Sequence, residues 1–165
     1  MTLTLHPLLP DSASDAAQVW RIFSEAPSYS QRVEGRPPAH ADVEDFFHGM
    51  PAGKEASDKF LIGLHAGTEM VGCADVIRAY PARDCAFIGL LLVSEAHQGR
   101  GCGRTALGLI EAMARGWDCT RLRLAVISTN PRAFAFWQRE GFGIVDRRSI
   151  PRFTGDVIVM ERAIR

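Results

Sequence analysis

The sequence predicts a single α/β domain in which helices pack on a mixed β-sheet. Apolar residues recur at helical spacing in several windows, and shorter apolar runs bounded by Gly, Pro and Asn read as strands. The strand-rich middle then passes into alternating strands and helices. Of the 165 residues, 47% are apolar or aromatic, enough for one sizeable core without metal or disulfide support. The predicted order over residues 1–165 is β-α-α-β-β-β-α-β-α-β-β, mostly antiparallel in its N-terminal strands and β-α-β-α towards the C-terminus.

Leu3-Thr-Leu-His-Pro-Leu-Leu alternates at its start and reads as the opening strand. Asp11-Ser-Ala-Ser offers helix caps, and Ala16, Val19, Trp20 and Phe23 then share one helical face. The stretch from Pro27 to Pro38, rich in Pro, Ser and Gly, reads as a loop. Val43, Phe46, Phe47 and Met50 form a second short helix that Pro51 and Gly53 end. Phe60–His65 and Met70–Ile77 are strands joined by the turn Ala66-Gly67-Thr68. Ala86–Val93 is apolar without alternation, as in a central strand covered on both faces. Leu107, Ile110, Ala114 and Trp117 line a helix starting near Gly103, and Arg121–Val126 is a strand. Asn130-Pro131 reads as an N-cap followed by proline at the first helical position, with Gly141 as the stop. Phe142–Ile150 and Asp156–Glu161 close the sheet.

Lys+Arg and Asp+Glu each number 19, so the chain lacks the basic excess of a dominant nucleic-acid binder. No apolar run approaches the roughly 18–20 residues of a membrane span, and the first residues lack the features of a signal peptide. Cys73, Cys85, Cys102 and Cys119 are scattered, with no ligand-like spacing to histidines. Neither a metal site nor a disulfide framework is expected, and reduced thiols fit a cytoplasmic protein.

The segment Gln98-Gly99-Arg100-Gly101-Cys102-Gly103-Arg104 joins the buried strand to the amphipathic helix. Glycines at alternate positions let a ligand approach the backbone, and N–H groups converging at a helix N-terminus favour an anion. Alone, the pattern would serve as a tight connector. Between that strand and that helix, with Arg100 and Arg104 beside it, it reads as a phosphate or pyrophosphate site. Gly101-x-Gly103-x-x-Ala106 also matches a dinucleotide-binding pattern, but the following strand carries no carboxylate for a ribose. A Walker loop is excluded because Gly-Lys-Ser/Thr does not occur.

Gln98-Gly-Arg-Gly-Cys-Gly103 resembles the Q/R-x-x-G-x-G/A signature of the Gcn5-related N-acetyltransferases (GNAT). The strand ending at Val93 agrees in order and spacing. So does Asn130-Pro-Arg-Ala133-Phe-Ala-Phe-Trp137-Gln-Arg-Glu-Gly141-Phe142, which is similar to the family's N-x-x-A-x-x-x-Y-x-x-x-G-F helix. The resemblance implies a single GNAT-like domain that transfers acetyl from acetyl-CoA to a primary amine by direct attack in a ternary complex, without a metal. It implies pyrophosphate binding by Gln98, Gly99, Arg100, Gly101, Cys102, Gly103 and Arg104. Pantetheine would pair with the backbone of Leu91 and Val93, and the Leu91 N–H would meet the thioester oxygen. Asn130 would bond the pantetheine region, with Ala133, Phe134 and Trp137 along the channel.

Trp137 departs from the family's frequent tyrosine, and an indole cannot act as a comparable acid. Some members carry a glutamate early in the central strand, where this chain has Phe87. Asp75 and His65, on predicted strands, are the candidate bases. Tyr29 and Glu34, between the first two helices, are candidate acceptor-binding residues. The acceptor is a small-molecule or peptide amine, with neither nucleic acid nor membrane as partner, and the resemblance leaves a homodimer open. An acyl-CoA-binding sensor without efficient catalysis is the alternative, and NADP binding would mark an oxidoreductase.

Overall fold

The computed structural model describes residues 2–165. Strand β1 (Leu3–Pro7) is followed by helices α1 (Ala13–Ser24), α2 (Pro27–Glu34) and α3 (His40–His48). Strands β2 (Lys59–Ala66), β3 (Glu69–Arg78) and β4 (Cys85–Val93) come next, then α4 (Cys102–Gly116), β5 (Arg121–Ile127) and α5 (Pro131–Arg139). The chain ends with β6 (Gly143–Arg148) and β7 (Val157–Ala163). The strands form one mixed sheet in the order β1-β2-β3-β4-β5-β7-β6, antiparallel except where β4 meets β5.

Alternation along the strands divides the core between the two faces of the sheet. Ile62, Ala74, Val93, Leu122 and Leu124 pack with Ala106, Leu107 and Ile110 of α4 and Trp137 of α5. Their neighbours Leu61, Cys73 and Leu92 face the other way, against Val19, Ile22 and Phe23 of α1 and Val43, Phe46 and Phe47 of α3. Burying each large apolar side chain contributes roughly 1.5–3 kcal/mol, so both helical layers are fixed to the sheet.

The predicted loop from Pro27 to Pro38 contains α2 instead. Pro27 occupies the first helical turn, and Gly35 ends the helix in the left-handed region at φ 70°. Its sequence, PSYSQRVE, is too short and polar to show an apolar stripe; Val33 and Ser30 are its buried residues. Support comes from far along the chain, because Glu95 Oε1 accepts the Ser28 N–H at 3.0 Å. That bond holds the Glu95 carboxyl below its ordinary value, so a residue that reads as a surface group pins α2. The first closing strand is also shorter than predicted, since β6 stops at Arg148, whereas β7 is shifted towards the C-terminus and runs from Val157 to Ala163.

Two irregularities of β4 shape the rest of the molecule. Its parallel pairing with β5 runs from Cys85↔Arg121 to Ile88↔Leu124 and stops, while β5 continues along β7 to Ile127↔Val157. On the other side, Asp75 pairs with Leu90 and Val76 with Ile88, which leaves Gly89 as a bulged residue.

Helix α4, which leads out of the Gly-rich segment, is tied to β7 by a buried ion pair. The Arg162 guanidinium donates two bonds to Glu111 at 3.1 and 3.0 Å, and the Arg165 N–H adds a third at 2.5 Å. The Arg162 hydrogen bonds hold the Glu111 carboxyl below its ordinary value of 4.5. Glu111→Ala strands Arg162 and should cost about 3–5 kcal/mol in urea unfolding at pH 7. The sign follows from the lowered value: the stabilisation is complete above 4.5 and is lost as the pH falls through the folded-state value, so the deficit shrinks in acid.

Candidate active site

Where β4 leaves β5, a groove of about 480 Å³ opens between the C-terminal half of β4, the N-terminus of α4, and α5. Leu91, Leu92 and Val93 line one wall, and Asn130, Ala133, Phe136 and Trp137 the other. Gly99 and Gly101 have φ of 73° and 83°, a region that only glycine enters freely. Gly101 is the N-cap of α4 and offers no side chain to cap the helix. Gly103 is required for closeness, since a Cβ there would lie 3.2 Å from the Phe136 ring. The guanidinium-bearing residues Arg32, Arg104, Arg132 and Arg139 surround this end of the groove. A helix N-terminus without a side-chain cap, opening on a groove lined by Arg32, Arg104, Arg132 and Arg139, suits a phosphorylated ligand.

Beyond the bulge, on the α1–α3 face, lies a recess of about 80 Å³ walled by Phe23, Tyr29, Phe46, Leu90 and Phe153. Four carboxylates reach it: Glu34, Asp42, Asp45 and Asp75. Three are engaged by arginine. Glu34 is held by Arg36 and by Arg152, the latter at 2.5 Å; Asp42 meets Arg36 at 2.6 Å; Asp45 meets Arg152 at 3.5 Å.

Asp75 differs. Its nearest cation is the buried Lys59 ammonium at 3.9 Å, and no protein donor hydrogen-bonds its carboxylate among the described residues. Burial pushes its carboxyl up to about 7, against the pull of Lys59. The carboxylate occupies space that a side chain at position 89 would need, since a Cβ on Gly89 would come within 2.1 Å of Asp75 Oδ1. Asp75 also borders a second cleft of about 320 Å³ that contains Phe87.

Leu91, Val93, Gln98, Gly99, Gly101, Cys102, Gly103, Arg104, Asn130, Ala133 and Trp137 all line the groove. Arg100 points to solvent outside it. Phe134 packs on the core beside it, and Phe136 takes the wall position, because two residues along α5 point to nearly opposite faces and it is the face of Phe136 that meets Gly103. The Gln98 amide donates to the Val93 carbonyl at 2.8 Å, so this side chain fastens the loop to the end of the strand. Asn130 does not cap α5 with its side chain; its backbone carbonyl takes the Phe134 N–H at 3.2 Å, and the buried amide lines the groove. Tyr29 and Glu34 lie on α2 rather than in a loop, and both reach the recess. His65 lies tilted against His6 on β1, with ring centroids 4.3 Å apart, and joins neither cavity.

Ser28, Arg132, Arg139, Phe136 and Arg152 are part of these cavities and carried no local signal. Gly89, a lone glycine in an apolar strand, did carry one: it marks close approach by another group.

A seven-stranded mixed sheet with its central strand splayed beside a glycine-rich helix N-terminus defines an α/β protein built to hold a phosphorylated ligand against a strand edge. The sequence profile of the acetyltransferase (GNAT) family matches residues 17–142. The chain belongs to the GNAT family, and its activity is that of an acetyl-CoA-dependent acyltransferase. An acetyltransferase from Thermus thermophilus is 32% identical, with a TM-score of 0.80 over 99% of this chain and 97% of that one. The ribosomal-protein-S18-alanine N-acetyltransferase of Escherichia coli shares the fold at 18% identity, with a TM-score of 0.69 over 99% and 94%. A GNAT family acetyltransferase from Elizabethkingia anophelis with acetyl-CoA bound does so at 15% identity, with a TM-score of 0.66 over 98% and 97%. None of the curated proteins matches the chain. No helix among the described residues is long and apolar enough to cross a membrane.

A raised carboxyl value has a sign that stability measurements can read. Between 3.8 and about 7 the unfolded chain ionises Asp75 while the folded chain keeps it protonated, so folding loses stability as the pH rises through that window. Asp75→Asn removes the loss. Its melting temperature relative to the parent should climb across this window and level off above it.

Proposed function

We propose that this protein transfers the acetyl group of acetyl-CoA to a primary amine by direct attack, with both substrates bound at once. One observation carries the reading: groove and recess meet at consecutive residues of one strand, Leu91 lining the groove and Leu90 the recess. A thioester lying along β4 would present its carbonyl carbon at that junction.

The groove fits acetyl-CoA in chemistry as well as shape. The amides from Gln98 to Arg104 and the surrounding arginines would hold its pyrophosphate and phosphate. The stretch of β4 without a β5 partner offers Leu91 and Val93 backbone to the pantetheine arm. There the Leu91 N–H would meet the thioester oxygen and stabilise the charge that develops on it. The Asn130 amide bonds no protein group and is available to the arm. Ala133, Phe136 and Trp137 form its far wall.

Asp75 is the general base in this reading. An amine arrives as an ammonium and must lose a proton before attack, and a base with a value near 7 is matched to that task. The aromatic walls suit the amine's carbon chain, while Glu34 shapes the recess by ordering Arg36 and Arg152. Outside it, a cleft of about 410 Å³ bordered by Glu34, Arg36, Asp42, Asp45 and Arg152 would take the remainder of a small-molecule or peptide acceptor. Cys102 sits at the α4 N-terminus, away from the junction, which favours direct attack over an acyl-enzyme. The chain acts here as one domain across residues 1–165. Its four buried thiols support a reducing compartment such as the cytoplasm. Edge strand β6, beside exposed Ile144, Val145 and Ile150, is the surface a homodimer would use.

Calorimetric titration should show acetyl-CoA binding that Gly101→Glu abolishes, since the new side chain strains a φ of 83° and sets a carboxylate against the phosphates. On an amine found by CoA release, kcat/KM should rise with pH through a value near 7, because the base works deprotonated. Asp75→Asn should lower kcat about 10²–10⁴-fold and remove that inflection. Binding of acetyl-CoA without turnover on any amine would instead mark an acyl-CoA-binding module.

A further inference from the structure

Asp45, on α3, borders the recess, the outer cleft of about 410 Å³ and the neighbouring cleft of about 320 Å³. Its side chain is 57% exposed, its ion-pair partner is Arg152 at 3.5 Å, and no group of the protein donates a hydrogen bond to its carboxylate. Asp75 reaches the same recess from β3, is 6% exposed, and likewise accepts no hydrogen bond. The two are close enough for the Asp45 charge to raise the Asp75 carboxyl value.

The charges around these two carboxylates do not balance. Recess and outer cleft present Glu34, Asp42, Asp45 and Asp75 to only two guanidiniums, Arg36 and Arg152. Arg36 is committed to Asp42 and Glu34, and Arg152 gives its Nε–H to Glu34 at 2.5 Å. An arriving ammonium answers Asp75 and leaves one negative charge over. That charge falls to Asp45, the exposed carboxylate with no hydrogen bond. The recess itself, about 80 Å³ between Phe23, Phe46 and Phe153, has the room of a few water molecules and suits an unbranched carbon chain.

We infer that the acceptor is a small diamine, with one nitrogen at Asp75 and a second ammonium held against the Asp45 carboxylate. The inference rests on the proposed transfer and names the class of its acceptor. An acceptor bearing a carboxylate would have only Arg152 to meet, already held by Glu34 and set among acidic groups, so an amino acid is disfavoured.

At the reacting end the ammonium gives one proton through Asp75 to water, and the freed lone pair forms the C–N bond. The C–S bond breaks with its electron pair on sulfur, and the second proton, carried by water, ends on the thiolate. The far ammonium keeps its charge throughout. Once one end is acetylated, the product turned about would bring a neutral amide to Asp45, so the reaction stops at one acetyl group.

The test compares each linear α,ω-diamine from propane to hexane with the monoamine of the same chain length, by CoA release. A hydrogen bond between charged groups is worth about a factor of ten at the lower end of its range. In the best-matched pair kcat/KM should be about tenfold higher for the diamine, chiefly through KM, and mass spectrometry should find the singly acetylated product. Asp45→Asn should bring the diamine-to-monoamine ratio to about one, whereas Asp45→Glu, which keeps the charge, should retain a preference. Acetyl-CoA binding by calorimetry shows that the variants fold. Ratios near one at every length in the parent, a preference that survives Asp45→Asn, or transfer to other amines with no diamine accepted would each overturn the inference and leave the proposed transfer standing. Acetyl-CoA binding without transfer to any amine would overturn both.

Discussion

Past Ile88 the backbone of β4 no longer has β5 beside it, although β5 keeps its bonds to β7 to the end. A buried peptide group without a partner costs roughly 1–3 kcal/mol, so a core strand gives up such bonds only where something else offsets the loss. Here the surroundings hold the gap open. Helix α4 is fixed to β4 by its apolar face and to β7 by the Glu111–Arg162 pair, while α5 props its far side with Trp137 packed on Phe142. The splay is therefore a property of the packed core and is present before any ligand arrives. Groove, junction and recess follow from it, because each is bounded by the segment of β4 that has lost a neighbour.

The bulge at Gly89 is the second consequence of the same strand. It lets the Asp75 carboxylate sit above β4 with Lys59 as its nearest cation, at 3.9 Å rather than in a close bond. A tighter pair would be better for the fold and would pull the carboxyl value down. Distance leaves desolvation dominant and the value near 7. Lys59 is in turn occupied by the Gly49 carbonyl at 2.5 Å, which keeps it from closing on Asp75. Stability is thus given up at one buried group, and in the proposed reaction that group would serve as a base able to change charge near neutral pH.

Features written in contiguous residues were legible from the sequence. The Gly-rich segment, the helix at Asn130-Pro131 and the unbroken apolar strand each carry their physics locally, through φ freedom, proline at the first helical position and burial on both faces. Asp75 stood out only as a carboxylate on a predicted strand, since its isolation depends on Lys59 and Gly89 arriving from β2 and β4. Helix α2 was hidden for a related reason. Its eight residues have no stripe of their own, and the bond that secures it comes from Glu95. Phe134 was read as a wall residue in place of Phe136 because motif spacing locates a helix without fixing which of its faces meets Gly103.

Net charge misled in a more instructive way. Equal numbers of acidic and basic residues give no steer towards a charged ligand when they are summed, yet the fold sorts them. Arg32, Arg104, Arg132 and Arg139 border the groove, whereas Glu34, Asp42, Asp45 and Asp75 reach the recess. Arg36 and Arg152 temper the outer carboxylates without reaching Asp75. One strand separates a cavity bordered mainly by guanidinium groups from one bordered mainly by carboxylates, and in the proposed reaction this would favour the phosphates of acetyl-CoA on one side and an ammonium on the other. In the proposed reaction such sorting would also order the reacting atoms, because the uncharged thioester carbon is the part of acetyl-CoA that would lie between the two fields, where Tyr29 lines both cavities.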